Sequence, residues 1–155
     1  MDTLSQLQRS RLMRSVNTRN TGIEMRVRSV LHAAGFRFSL HKKSLPGTPD
    51  ILLPRHRVAV FVHGCFWHGH DCSRGKRPST NVAFWQEKLD RNIERDQQDR
   101  NALKRLGWRV YVVWGCDIEG NTKRLIKLLK HQQAQCSTSI KSRKVSIKRT
   151  ERRDH

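Results

Sequence analysis

The segment that most constrains this chain is His63-Gly-Cys-Phe-Trp-His-Gly-His-Asp-Cys72, which packs three histidines and two cysteines into ten residues. It follows the apolar run Val58-Ala-Val-Phe-Val62. A buried strand therefore delivers the chain into a loop that has no aliphatic side chains of its own to pack. Four cysteines are present, at 65, 72, 116 and 136, and the N-terminal MDTLSQLQRSRLMRS has no apolar stretch of the kind a secretory signal needs. The expected compartment is the cytoplasm, where disulfides are disfavoured and thiols serve metals instead. Zinc takes four nitrogen or sulfur ligands in a tetrahedron. The loop can supply three of them. Cys116, directly after the apolar stretch 108–114, is a better fourth donor than Cys136, which opens the basic C-terminal segment. The expected set is Cys65, Cys72, Cys116 and one histidine. His70 is the nearest to Cys72, with Asp71 as its competitor. A closed set of four is structural rather than catalytic, and it leaves His63 and His68 without a structural task. The alternative is a reduced loop that binds no metal.

Hydrophobic periodicity organises the rest. Ile23, Val27, Val30, Leu31 and Ala34 follow helical spacing, with Thr21 and Glu24 as a capping box and Gly35 as the stop, so a helix is predicted over about 22–34. Phe36, Phe38 and Leu40 alternate as in a half-buried strand. Residues 45–49 form a turn, 50–53 a short strand and 58–62 a buried strand. A long helix over about 82–106 carries Trp85, Leu89, Ile93 and Leu103 on one face. A buried strand follows over 108–114, then a last helix capped by Asn121 or Thr122. The order α-β-β-β-α-β-α predicts an α/β fold with a mixed sheet and helices on both faces.

Thirty-two Lys and Arg oppose 13 Asp and Glu, a net charge of +19. A surface this basic attracts polyanions, and nucleic acid is the leading partner. Apolar runs of only a few residues are too short to span a membrane. The charge divides as +3 over residues 1–20, +11 over 21–136 and +5 over 137–155. These spans are read as a basic N-terminal arm, a globular domain and a basic tail, the last expected to be disordered because its only aliphatics are Ile140, Val145 and Ile147.

Three carboxylates stand out in so basic a chain. Asp50 opens an apolar strand, as a turn residue or as a ligand for a hard cation. Asp96 lies within about 20° of Trp85 and Leu103 around the long helix, where an aliphatic residue belongs. Two readings remain open for it: an ion pair with Arg100, or a carboxylate that orients a histidine. Glu24 is either the capping-box acid or a residue that holds metal-bound water. Phosphodiester cleavage needs a cation and a base, and Asp50 with His68 or His63 could supply both. Phe66 and Trp67 either pack under the loop or stack against bases.

Several stretches together resemble the very-short-patch repair (Vsr) DNA mismatch endonuclease family. They are Arg11-Leu-Met-Arg14, Asn17-Thr-Arg19 to Glu24, Leu45-Pro-Gly-Thr-Pro-Asp50, His63-Gly-Cys-Phe-Trp-His68, Phe84-Trp85 through Asp96, and Leu106-Gly-Trp-Arg-Val110 leading to Trp114-Gly-Cys116. The resemblance implies a restriction-endonuclease-like fold with a structural zinc ion, and a monomer that acts on double-stranded DNA. The activity it implies is a magnesium-dependent nick 5′ to the thymine of a T·G mismatch, which arises when 5-methylcytosine deaminates. Carried over by position, Asp50 is the magnesium ligand together with the backbone of Val62, where family members commonly carry Thr. His68 is the general base, Asp96 supports it, His63 assists at the phosphate, and Glu24 holds metal-bound water. Cys65, His70, Cys72 and Cys116 hold zinc. Met13, Phe66 and Trp67 wedge into the base stack. Two other functions are compatible with much of this pattern: a restriction endonuclease of the same fold, and a zinc-containing nucleic-acid-binding module without catalysis. Protein partners in repair are not legible.

The basic tail makes a testable contribution. Deleting residues 137–155 should flatten the dependence of log K on log salt for duplex binding, by about 0.9 for each phosphate that the tail neutralises. An unchanged slope in a salt titration would show that the tail does not touch DNA.

Overall fold

The computed structural model describes residues 21–150, with side chains described as far as residue 135. The elements follow the predicted order: α1 (Gly22–Ala33), β1 (Ser39–Leu40), β2 (Ile51–Leu53), β3 (Val58–His63), α2 (Val82–Arg105), β4 (Arg109–Trp114) and α3 (Ile118–Thr150). The strands form one mixed sheet in the order β1-β2-β3-β4. β1–β2 and β2–β3 are antiparallel, and β3–β4 is parallel, running from Val58 opposite Arg109 to His63 opposite Trp114. The parallel pair requires a crossover, and α2 supplies it.

Alternation along the strands builds two cores. Val58 and Val60 of β3 join Ile51 and Leu53 of β2, Val113 of β4, Val27 and Leu31 of α1, and Leu125 and Leu129 of α3. Ala59 and Phe61 point the other way, with Leu52, onto Leu103 of α2. The sheet therefore has α1 and α3 on one face and α2 on the other. The same period of two turns Val62 toward the α1–α3 side and His63 toward α2. Asp50, in phase with Leu52, also belongs to the α2 side.

Several local expectations change. Thr21 caps α1 by accepting the Glu24 N–H at 3.3 Å, but the Glu24 carboxylate serves Arg28 and His41 instead of completing the box. The strand expected over 36–40 shrinks to Ser39–Leu40, because Phe36 turns into the core behind the Gly35 stop, where φ is +85°. β4 lies at the edge of the sheet, and only Val113 in it is fully buried. α3 starts earlier than expected, with Asp117 accepting the Gly120 N–H at 3.0 Å, while Thr122 bonds back to the Ile118 carbonyl inside the helix. The helix then continues through residue 137 to Thr150, where composition alone predicts a disordered tail. Residues 121–150 contain neither Gly nor Pro, so nothing in them stops it.

Leu103 is fully buried and anchors the C-terminal half of α2 to the sheet. Leu103→Ala should lower unfolding stability by about 2–5 kcal/mol, read as a drop in the urea midpoint at unchanged m value.

Candidate active site and metal cluster

β3 and β4 end side by side, and the Gly115 N–H donates to the His63 carbonyl at 2.9 Å. That places Cys116 against the start of the loop that carries Cys65. The loop then coils on itself: the His70 N–H donates to the Cys65 carbonyl at 3.0 Å, and the Cys72 N–H to the His70 carbonyl at 2.9 Å. Gly75 closes the coil, and a Cβ there would collide with the His70 carbonyl oxygen. The result brings one donor atom each from Cys65, His70, Cys72 and Cys116 within 4.8 Å of one another. Ligands on a zinc tetrahedron at about 2.3 Å lie about 3.8 Å apart, so small rotations suffice. His70 stacks on Trp114 with ring centroids 4.3 Å apart, and its Nδ1 faces the Cys116 sulfur at 3.5 Å. Asp71 points to solvent. Burial and the neighbouring thiols push Cys65 up to about 11, and the His70 hydrogen bond brings Cys72 down to about 7. Three thiols and an imidazole nitrogen gathered around one point form a donor set that suits a bound metal. The Cys136 side chain lies outside the described residues.

A cleft of about 410 Å³ opens on the α2 side of the sheet, lined by Asp50, His63, His68 and Asp96 among others. Its floor comes from β3, its near wall from the Cys loop and its far wall from α2. His68 Nδ1 lies 2.5 Å from Asp96 Oδ2, so of the two readings of Asp96 the structure shows the histidine partner. Arg100 instead donates through Nε to the Asp96 backbone carbonyl at 3.2 Å. Burial opposes ionisation of Asp96, but the His68 hydrogen bond and charge outweigh it, and the carboxyl sits below its ordinary range. The His63 ring stacks face to face on His68, with centroids 3.7 Å apart and planes 9° from parallel. Burial first, then His68, drives the His63 imidazole down to about 3, so it stays neutral near neutral pH.

Asp50 enters the cleft from the start of β2. Its Oδ2 accepts the Val62 N–H at 2.7 Å, at a point on β3 beyond the last β2 partner, Val60. Burial pushes Asp50 above its ordinary value, against the pull of that N–H bond. Gly47, with φ +68°, lets the preceding turn approach Asp99 of α2 so closely that a Cβ would lie 2.9 Å from the Asp99 Cβ. Donor atoms of Glu24, His41 and Asp50 also gather within 4.8 Å of one another. Glu24 is buried and contacts both Arg28 and His41 Nε2, the latter at 3.1 Å.

Phe66 and Trp67 pack edge-on to each other at 5.0 Å, and Phe66 meets Trp85 of α2 at 5.3 Å. Both remain half-buried. Phe84, half exposed, and the Lys88 ammonium, 5.5 Å from the Trp67 ring centroid, extend this aromatic ridge beside the cleft. Met13 lies outside the described residues.

The DNA mismatch endonuclease Vsr family matches residues 1–74. The type II nicking enzyme V.XorIIP of Xanthomonas oryzae is 50% identical over 117 residues, covering 76% of this chain and 86% of that protein. The chain belongs to the Vsr family. The DNA mismatch endonuclease Vsr of Escherichia coli is 46% identical over 74% of each chain, and the type II nicking enzyme V.NmeAIP of Neisseria meningitidis is 37% identical over 83% of this chain and 94% of its own. As a Vsr-family protein the chain is a DNA endonuclease, a hydrolase whose partner is DNA. Among the described residues no helix is long and apolar enough to cross a membrane.

Two residues of this site had no sequence signal: His41 and Asp99. His41 reaches it through its own left-handed backbone, which no periodicity reports. Asp99 lines the cleft with Asp96 on α2 and was legible only once Asp96 was known to face it.

Cys116→Ser tests the cluster. The variant should release its bound metal to a chromogenic chelator and lose several kcal/mol of stability, of the order structural zinc contributes to folding. A stable, active, metal-free variant would refute a structural metal here.

Proposed function

We propose that this endonuclease nicks duplex DNA 5′ to the thymine of a T·G mismatch, by magnesium-dependent hydrolysis at the cleft. The observation that carries the reading is the His68–Asp96 hydrogen bond, 2.5 Å long, in the same cleft as Asp50 and His63. A carboxylate at Nδ1 favours the tautomer with its proton there and leaves Nε2 as a basic, aimed lone pair. Through Nε2, His68 takes the proton from the attacking water. Asp96 holds the ring in place and balances the imidazolium that forms. His63, stacked behind His68 and neutral, assists at the phosphate.

Magnesium neutralises phosphate charge and makes water a better nucleophile when bound. Asp50 and the Val62 carbonyl would hold it. In a strand the N–H and C=O of one residue face the same side, and the Val62 N–H already points at Asp50. A backbone donor makes the Val side chain at this position harmless. Glu24 is assigned to water beside that cation. Zinc at Cys65, His70, Cys72 and Cys116 is the metal we assign to the cluster, supported by its thiolate and imidazole donors.

Phe66 and Trp67, with Met13 from the arm 1–20, are the residues we assign to wedging beside the mismatch. Support comes from the half-exposed aromatic ridge that flanks the cleft. The mixed sheet, with an acidic residue at the start of β2 and helices on both faces, supports a restriction-endonuclease-like fold for residues 21–136. Asp50, His63, His68 and Asp96 all line a cleft within a single chain, so a monomer suffices. Free thiols suit the reducing cytoplasm, and the basic segments 1–20 and 137–155 are assigned to non-specific contact with phosphates.

His68→Ala should reduce nicking of a T·G duplex by at least the 10²–10⁴-fold, roughly, that a general base supplies, while a gel shift finds mismatch binding within a few-fold of wild type. Near wild-type nicking by that variant would overturn the assignment of the base.

A further inference from the structure

Beside Asp50 sits a side chain that the mechanism above does not use. His41 follows β1, and its N–H faces the Asp50 carbonyl at 3.4 Å. Its backbone is left-handed, with φ +44°, which turns the imidazole back toward α1. There Nε2 lies 3.1 Å from a Glu24 carboxylate oxygen and 2.9 Å from the Arg28 guanidinium. The side chain is only 18% exposed, and Glu24 only 2%. A left-handed non-glycine residue is uncommon and costs free energy. Here that conformation directs a nitrogen donor toward the buried Glu24 and the half-buried Asp50.

The three donor atoms of Glu24, His41 and Asp50 lie within 4.8 Å of one another. Donors around one small dication at about 2.1 Å lie at most about 4.2 Å apart, a gap that side-chain rotation closes. The set is mixed: the Asp50 carboxylate and the His41 imidazole as direct donors, with the Glu24 carboxylate placed to hold water beside them. Magnesium is a hard ion that prefers oxygen and keeps its waters. Imidazole nitrogen suits first-row transition metals, whose affinities for such sites rise from manganese onward.

We propose that His41 is a nitrogen ligand at the catalytic cation site, so that this chain binds Mn²⁺ in preference to Mg²⁺. The inference rests on the reading that Asp50 holds the catalytic cation, and it adds the ligand that sets which cation is preferred. Arg28 Nη2 lies against both Glu24 and His41 Nε2, so a cation that takes these donors displaces the guanidinium.

The test is Mn²⁺ binding to the full-length protein, with its cysteine cluster saturated with zinc so that manganese cannot enter there. Binding is followed by electron paramagnetic resonance, which counts bound Mn²⁺ and detects ¹⁴N coupling from a ligating imidazole. Mg²⁺ affinity is obtained by competition. His63 and His68 line the neighbouring cleft, so the nitrogen signal is assigned with His41→Asn. Asn tolerates the left-handed backbone, and circular dichroism checks that the variant is folded.

The expected result is ¹⁴N coupling in wild type that disappears in His41→Asn. Mn²⁺ binding should weaken at least about tenfold, the lower end of what losing even an outer-shell partner of a metal ligand costs. Mg²⁺ binding should change less, so the preference for Mn²⁺ narrows. Unchanged nitrogen coupling and Mn²⁺ affinity in His41→Asn, with binding lost in Asp50→Asn, would overturn the role of His41 and leave Asp50 as the cation ligand. Mn²⁺ binding that survives Asp50→Asn, or no Mn²⁺ binding by wild type at millimolar concentration, would overturn both.

Discussion

The four-donor cluster of Cys65, His70, Cys72 and Cys116 is the constraint on which the cleft depends. Residues 64–81 contain a single short 3-10 turn at Ser73–Gly75 and no strand or α-helix, so the loop has no ladder of its own. Its shape comes from the ends of β3 and β4, which present Cys65 and Cys116 to each other, and from the coil that returns His70 and Cys72 to them. His68 sits inside that coil, between Cys65 and His70 of the cluster. Whatever holds the cluster therefore also aims His68 at Asp96. The proposed structural metal and the proposed catalytic base would then be two consequences of one knot of backbone. Glycine marks the knot where side chains would break it: a Cβ at Gly69 would lie 2.5 Å from Ile93 on α2, and one at Gly75 would meet the His70 carbonyl.

Much of this was legible in the sequence, for identifiable reasons. The period of 3.6 in α2 exposed Asp96 as an interruption of an apolar stripe, and the structure turns that residue to His68. The density of Cys and His announced the cluster, and the position of Cys116 after an apolar stretch named its remote member. Local signals failed where a tertiary contact took over a residue. Glu24 looked like a cap and is instead buried with Arg28 and His41. Asp117 displaced Asn121 and Thr122 as the start of α3, because a carboxylate one residue before a helix accepts from its first turn. Trp108 to Trp114 read as a buried strand, although at the sheet edge one side of its backbone is left unpaired. His41 left no trace at all, since its placement comes from a left-handed backbone conformation.

The charge distribution makes the same division between holding and acting. A net charge of +19 attracts a polyanion along the whole chain without selecting a site on it. Inside the cleft the balance differs: Asp50, Asp96 and Asp99 line it with Arg95 and Arg100. Such a site binds phosphate poorly unless a cation neutralises the carboxylates. On the proposed reading the protein carries its affinity for DNA on the outside, and its chemistry within depends on a metal.

The central claim is that this cleft cuts one strand at a mismatch. The most direct measurement incubates the wild-type protein with Mg²⁺ or Mn²⁺ and two end-labelled duplexes that differ only in a T·G or a C·G pair, then resolves both strands on a denaturing gel. A single cut immediately 5′ to the mismatched thymine, with the other strand and the matched duplex intact, is the predicted result. Cleavage of both strands of the matched duplex, or no cleavage of either duplex with either cation, would contradict the account.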